Sequence, residues 1–219
     1  MRLATFKHDH GSWSVPWLPA LDSEQTLVLV FSSPDRGDDP LPFADLRRAY
    51  PRSYVVGCSA AGELHGLPIS GDALVVAVAE LEWSRLRSAR SEAMVSAEAA
   101  EAIARELAAP DLRGLFVIDG RSEDDPRLAA ELATRLPSTV PISRVHAAAS
   151  GRDGRSFIVT GGVCRDGGIV AIGLYGSAIE LRATNLQQIE QERLAPTLIG
   201  DALTIHLDAN VAATLLAES

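Results

Sequence analysis

Short apolar runs alternate along this chain with amphipathic stretches and turn signals. "TLVLVF" (26–31) is continuously apolar and reads as a strand buried on both faces. "FADLRRAY" (43–50) reads as a short helix stopped by Pro51, and "SYVVGC" (53–58) as the next strand. "DALVVAVAELEW" (72–83) and "SRLRSAR" (84–90) predict two further strands, with Arg85, Arg87 and Arg90 recurring as guards on an exposed sheet edge. The clearest helix is "SAEAAEAIARELAA". It starts with Ser96 as N-cap and Glu98 in the first turn, and its apolar positions Ala100, Ile103, Ala104 and Leu107 follow helical spacing.

The pattern then starts again. "GLFVID" (114–119) predicts a strand and "DPRLAAELATRL" (125–136) a helix with Pro126 at its first position. "VPISRV" (140–145), "SFIVT" (156–160), "GIVAIGLYG" (168–176) and "AIELRAT" (178–184) predict four more strands. The halves match in order: "LVLVF" with "LFVID", "LRRAYP" with "LATRLP", "VVGCSAAG" with "SRVHAAASG", and "ALVVAVAELEWSRLRSA" with "GIVAIGLYGSAIELRAT". The offset is close to 87 residues early and 95 later. The fold class that follows is α/β: a pseudo-symmetric duplication of a β-α-β-β-β unit, forming mixed sheets flanked by helices. In such a fold the small-residue turns 57–62 and 146–151 sit at equivalent strand ends. Ligands in α/β sheets favour the carboxyl ends of strands, so a pocket between the halves is expected there.

Composition narrows the class of function. Of 219 residues, 47% are hydrophobic and 22% charged, which suits a soluble globular protein. A net charge of −9 argues against nucleic acid or an anionic membrane as partner. Two cysteines, Cys58 and Cys164, form neither a disulfide framework nor a metal motif. The first residues lack a signal-peptide core, and no apolar run approaches the roughly 20 residues of a membrane span, so a cytoplasmic location is expected.

The chemistry concentrates in "GCSAAGEL" (57–64). Cys58 after a strand has the position of a nucleophile. However, Gly57, Ser59 and Gly62 do not give the nucleophile-elbow spacing, and nothing ties His65 or His146 to the thiol as base. A packed, inert cysteine is the simpler reading, and no catalytic residue is assigned. His8 and His10, in an N-terminus read as mobile, are weak metal candidates, and no metal site is assigned. Gly57 and Gly62 flank small residues as in anion-binding nests, but no Lys or Arg lies in 57–65 and Glu63 would repel a phosphate. A neutral or zwitterionic ligand fits better.

Gly57, Cys58, Ser59, Ala61, Gly62 and Glu63 match the G-C-S-T-A-G-E-I stretch of the FIST domain, a bacterial sensory module, with Ala60 in place of threonine. The chain resembles that family over about residues 25–184, with repeats at about 25–92 and 112–184. Residues 1–24 then form an N-terminal extension, and 185–219 is similar to the opening of the family's C-terminal half. The resemblance implies a non-enzymatic signal-input domain that binds a small molecule, an amino acid being the specific expectation, and passes its state to a signalling partner or homodimer. Two departures stand out. "RVHAAAS" puts Arg144, Val145 and Ala149 where the family has Gly, Gly and Asp, and "DDPRL" replaces its N-G-S-E-L turn. The expected ligand wall is Gly57, Cys58, Ser59, Ala60, Gly62 and Glu63 on one side. Arg144, His146 and Ser150 stand on the other, with Arg144 meeting a carboxylate and Glu63 an ammonium. Some family members bind haem, for which His146, His65 and Cys58 are the axial candidates, and none of them stands out. A degenerate member kept as an interaction scaffold without a ligand is the alternative, marked by an exposed apolar patch.

Overall fold

The structure, a computed structural model, describes residues 1–37, 39–60, 73–82, 84–122, 125–149 and 155–176, together with the backbones of four short strands elsewhere. Among the described residues there are three α-helices: α1 (Pro40–Ala49), α2 (Ser96–Leu107) and α3 (Arg127–Arg135). The strands before α2 are β1 (Arg2–Asp9), β2 (Ser12–Trp13), β3 (Thr26–Ser32), β4 (Tyr54–Ser59), β5 (Glu63–Leu64), β6 (Leu67–Pro68), β7 (Leu74–Glu80) and β8 (Arg85–Ser91). Those after it are β9 (Leu112–Asp119), β10 (Ile142–His146), β11 (Phe157–Thr160), β12 (Val163–Asp166), β13 (Ile169–Tyr175), β14 (Ile179–Arg182) and β15 (Leu203–His206).

Two mixed sheets dominate. One runs in the order β12-β11-β4-β3-β7-β1-β2, the other β10-β9-β13-β8. Their side chains alternate between two faces, as the pleat requires. From the first sheet Leu27, Phe31, Val56, Cys58, Val75 and Ile158 meet Leu86, Phe116, Ile118, Val170, Ile172 and Leu174 of the second, forming the central core. The outer face of the first sheet buries Val28, Val30, Val55, Val76 and Val78 with Phe43 and Leu46 of α1. The outer face of the second buries Leu115, Val117, Ile169 and Ala171 with Ile103 and Leu107 of α2 and Leu128 and Leu132 of α3. The layers therefore run helix, sheet, sheet, helices. Burial on both faces explains why the central strands are continuously apolar.

Each sheet is built on a similar triplet. In the first, β4 pairs in parallel with β3 and β7 antiparallel to it; in the second, β10 and β13 flank β9 in the same senses. Val30 faces Gly57 and Val117 faces Arg144, 27 residues apart in both cases. The triplets also close alike. Ala60 N–H donates to the Ser32 carbonyl at 2.8 Å, and Ala147 N–H to the Asp119 carbonyl at 2.8 Å. These partners lie 87 residues apart along the chain, whereas Leu74 and Ile169, facing Ser32 and Asp119, lie 95 apart. Beyond the triplets the halves exchange strands: β8 leaves β7 to pair with β13, and β11 leaves β10 to pair with β4.

Several local expectations are corrected. The N-terminal residues, read as a mobile extension, supply β1, which pairs with β7 along seven residues from Arg2 to His8. Its turn into β2 uses His10 (φ 47°) and Gly11 (φ 79°), the two positive φ values of a tight hairpin turn. Ser96 is the first residue of α2 rather than its cap; Val95 takes the cap position in extended conformation, and the Ser96 hydroxyl bonds elsewhere. Pro126 caps α3 instead of opening it. The arginine-bearing β8 lies at the sheet edge, as expected. Among the described residues, no helix is long and apolar enough to cross a membrane.

Candidate functional site

β3, β4, β9 and β10 all deliver their carboxyl ends to one side of the sandwich. There the two small-residue turns begin next to one another. Ala148 N–H donates to the Ser59 carbonyl at 2.9 Å, and the Ser59 hydroxyl donates to the Ala148 carbonyl at 2.8 Å. Phe157 N–H in turn donates to the Ser59 hydroxyl oxygen at 3.1 Å. Ser59 is fully buried, so these bonds satisfy a hydroxyl that has no access to water.

The other residues of the first turn have structural duties. A Cβ on Gly57 would stand 1.8 Å from the Val30 carbonyl oxygen, so glycine is there for the close approach of β4 to β3. Cys58 is 1% exposed in the core between the sheets, and burial pushes its thiol up to about 12. A thiol so placed stays protonated at neutral pH, and the core side chains packed around it leave it no open face, which argues against a nucleophile there. Ala60 packs against the same core. The backbone of Glu63 lies in the β5–β6 hairpin, opposite Pro68. Gly62, His65 and Ser150, and the Glu63 side chain, lie outside the described residues.

The second turn stands on a buried charge network that the sequence reading did not pick out. Asp119, at the end of β9, is fully buried. It accepts from Arg121 Nε at 2.9 Å and from the terminal nitrogen Nη2 at 2.7 Å, a two-pronged contact. Arg144 Nη2 donates to the same carboxylate at 2.9 Å. Burial pushes the Asp119 carboxyl up, but hydrogen bonds from Arg121 and then Arg144 outweigh it, holding the group below its ordinary value. Arg121 Nη1 also donates to the Met94 carbonyl at 2.9 Å and to the Ser96 hydroxyl at 3.1 Å, and that hydroxyl donates to Asp125 at 2.7 Å. His146 Nε2 stands 3.0 Å from the Arg121 carbonyl, which can only accept, so this ring nitrogen carries the proton. The ring therefore makes a hydrogen bond that an Nε2-bound haem iron would displace. The only advance signal for Asp119 was its place as the last letter of an apolar run, "LFVID", where a lone aspartate reads as a turn residue.

The histidines of the N-terminus also find a setting. His8 is buried against the edge of Trp13, and its Nδ1 accepts from Arg36 at 2.9 Å. Burial, and then the Arg36 charge, lower the His8 pKa from 6.5. Among the described residues no group of three or more His, Cys, Asp or Glu side chains is placed to hold a metal ion.

Two stacked mixed sheets thus bring their strand ends together at Ser59 and Ala148, beside the buried Asp119 network. A family model for the FIST N domain matches residues 26–192, and the chain belongs to this family. FIST domains are sensory and not known as catalytic, which places the chain in signal input. A comparison with curated proteins gave no match.

Proposed function

We propose that this domain binds a small molecule, an amino acid, where the turns after β4 and β10 adjoin, and reports its presence to a signalling partner inside the cell. The observation that carries the reading is the tie between the two strand ends at Ser59 and Ala148, with Arg144 fixed beside it on Asp119. Arg144 is the cation that meets a ligand carboxylate in this reading, and Glu63 is the partner for an ammonium group. The reading also takes the two triplets as copies of one duplicated unit, supported by their shared 27-residue register and matching closing bonds. Loss of the family's glycines at Arg144 and Val145 then exchanges backbone contact for a cation.

The test is a thermal-shift panel of the twenty amino acids, common nucleotides and haem, each near millimolar or at its solubility limit. A ligand at about 100 times its dissociation constant stabilises by roughly 2.7 kcal/mol. For a chain of this size that is a rise of about 5–11 °C. Arg144→Ala and Glu63→Ala are then titrated with the best hit, and the reading fails if both bind it as the parent does. Trp17 (85% exposed) and Leu41 (72% exposed) favour the scaffold as second reading. A flat panel with a dimer seen by light scattering would establish it instead.

A further inference from the structure

We infer that Asp119 is the positioning residue for Arg144, and that Arg121 carries the state of Arg144 to the amino ends of α2 and α3. This rests on Arg144 being a ligand contact, as proposed above, but it makes a claim about the protein alone.

The chain of bonds is continuous and mostly sealed from water. Arg144 and Arg121 share the Asp119 carboxylate, with Arg121 2% exposed and Asp119 fully buried. Arg121 reaches outward through Nη1 to the Met94 carbonyl and the Ser96 hydroxyl, the approach to α2 and its first residue. Ser96 passes the contact on to Asp125, whose other oxygen accepts from Arg127 N–H at 3.1 Å, the first residue of α3. Five side chains thus join a strand end at the ligand side to the start of both outer helices. In a low-dielectric setting, a change in the charge or position of one member alters the bonds of the next.

Two alternatives fit these contacts less well. Were the network only a buried strut, a single pairing of Asp119 with Arg121 would satisfy the aspartate. Arg144, 15% exposed on the next strand, would not be needed. Were Arg144 held by the turn alone, it would not share a carboxylate with a residue bonded to another layer. The arrangement instead anchors Arg144 inward on Asp119 while part of its side chain reaches the surface.

Hydrogen exchange on the 219-residue chain, with no ligand added, tests this. Four protected amides mark the route: Arg121 on Asp119, Ala99 on the Val95 carbonyl, Arg127 on Asp125 and Leu128 on the Asp125 carbonyl. Arg144→Gln is expected to speed exchange of all four about tenfold while amides within β3 and β7 keep their rates. Arg144→Lys, which keeps the charge, should restore most of the protection. In a Ser96→Ala background, Arg144→Gln should still reach Arg121 but no longer Arg127 or Leu128. Unchanged exchange at Ala99 and Arg127 in Arg144→Gln would overturn the inference, as would equal acceleration in the Ser96→Ala background. If Arg144→Gln instead loosens β3 and β7 equally, the comparison passes to Ser96→Ala alone, where faster exchange at Arg127 and Leu128 with Arg121 unchanged supports the route and no change at Arg127 and Leu128 refutes it. A flat ligand panel leaves these outcomes as they are, so the two readings fail separately.

Discussion

Replacing Gly57 by alanine tests whether this glycine serves the sheet or the ligand. The added Cβ would lie 1.8 Å from the Val30 carbonyl oxygen, 2.6 Å from its carbon and 2.9 Å from its Cα, all of them backbone atoms. Carbon–oxygen contacts settle at roughly 3.3–3.6 Å, so β3 and β4 must part locally by about 1.5 Å. Neighbouring strands stand only about 4.8 Å apart, and such a parting breaks ladder hydrogen bonds on either side of position 57. Overpacking of this kind costs about 1–3 kcal/mol, and two lost bonds add about 1 kcal/mol each. The expected loss is therefore about 3–5 kcal/mol, a fall in Tm of roughly 6–20 °C for a chain of this length. Calorimetry and urea unfolding of Gly57→Ala against the parent measure it. A loss under about 1 kcal/mol would refute the packing account. If stability held while affinity for a ligand fell, Gly57 would belong to the pocket after all.

Asp119→Asn leaves Arg121 buried against a neutral partner, with an expected cost of about 3–5 kcal/mol in urea unfolding, and a change below about 1 kcal/mol would contradict the buried network. Because the folded Asp119 carboxyl is held low, its contribution is present above the unfolded value near 3.9 and is lost as pH falls through the folded one, so the parent should lose more stability in acid than Asp119→Asn. His8 behaves in the same direction from a different cause: its folded pKa is lowered, so below about 6.5 the unfolded chain takes up a proton that the folded protein refuses. Stability should decline as pH drops below that value, and His8→Gln should flatten the decline. Native protein treated with iodoacetamide at neutral pH should label at Cys164, which is partly accessible, and spare Cys58; rapid modification of Cys58 would show that its core opens.

The sandwich's central strands were legible because burial on both faces forces runs such as "LVLVF" and "IVAIGLY", and no solvent-facing element needs such a run. α2 was legible for the opposite reason, its apolar stripe having only one face to cover. What hydropathy does not encode is which sheet a strand joins. β7 and β8 are consecutive and nearly continuous in sequence, yet they pair in different sheets. β1 was passed over because "RLATFKHD" mixes apolar with polar and charged residues, a weaker pattern than a strand buried on both faces gives. At the candidate site, "GCSAAGEL" drew attention by composition, and its glycine and cysteine turned out to pack. Asp119 and Arg121, two residues apart in "DGR", gave no periodic or motif signal, because their partners Arg144 and Ser96 are 25 residues away in opposite directions.

The exchange of strands between the halves governs how this molecule comes together. Cut between Ser91 and Ser96, the first piece would carry β8 with no sheet to join, and its β4 would present a bare edge where β11 belongs. The second piece would lack the outer strand beside β13. Neither piece holds a closed set of strands, so each is a template for the other. Two separately made peptides should remain unfolded apart and assemble when mixed, a split-protein pair whose association reports directly on the complementarity of the two sheets.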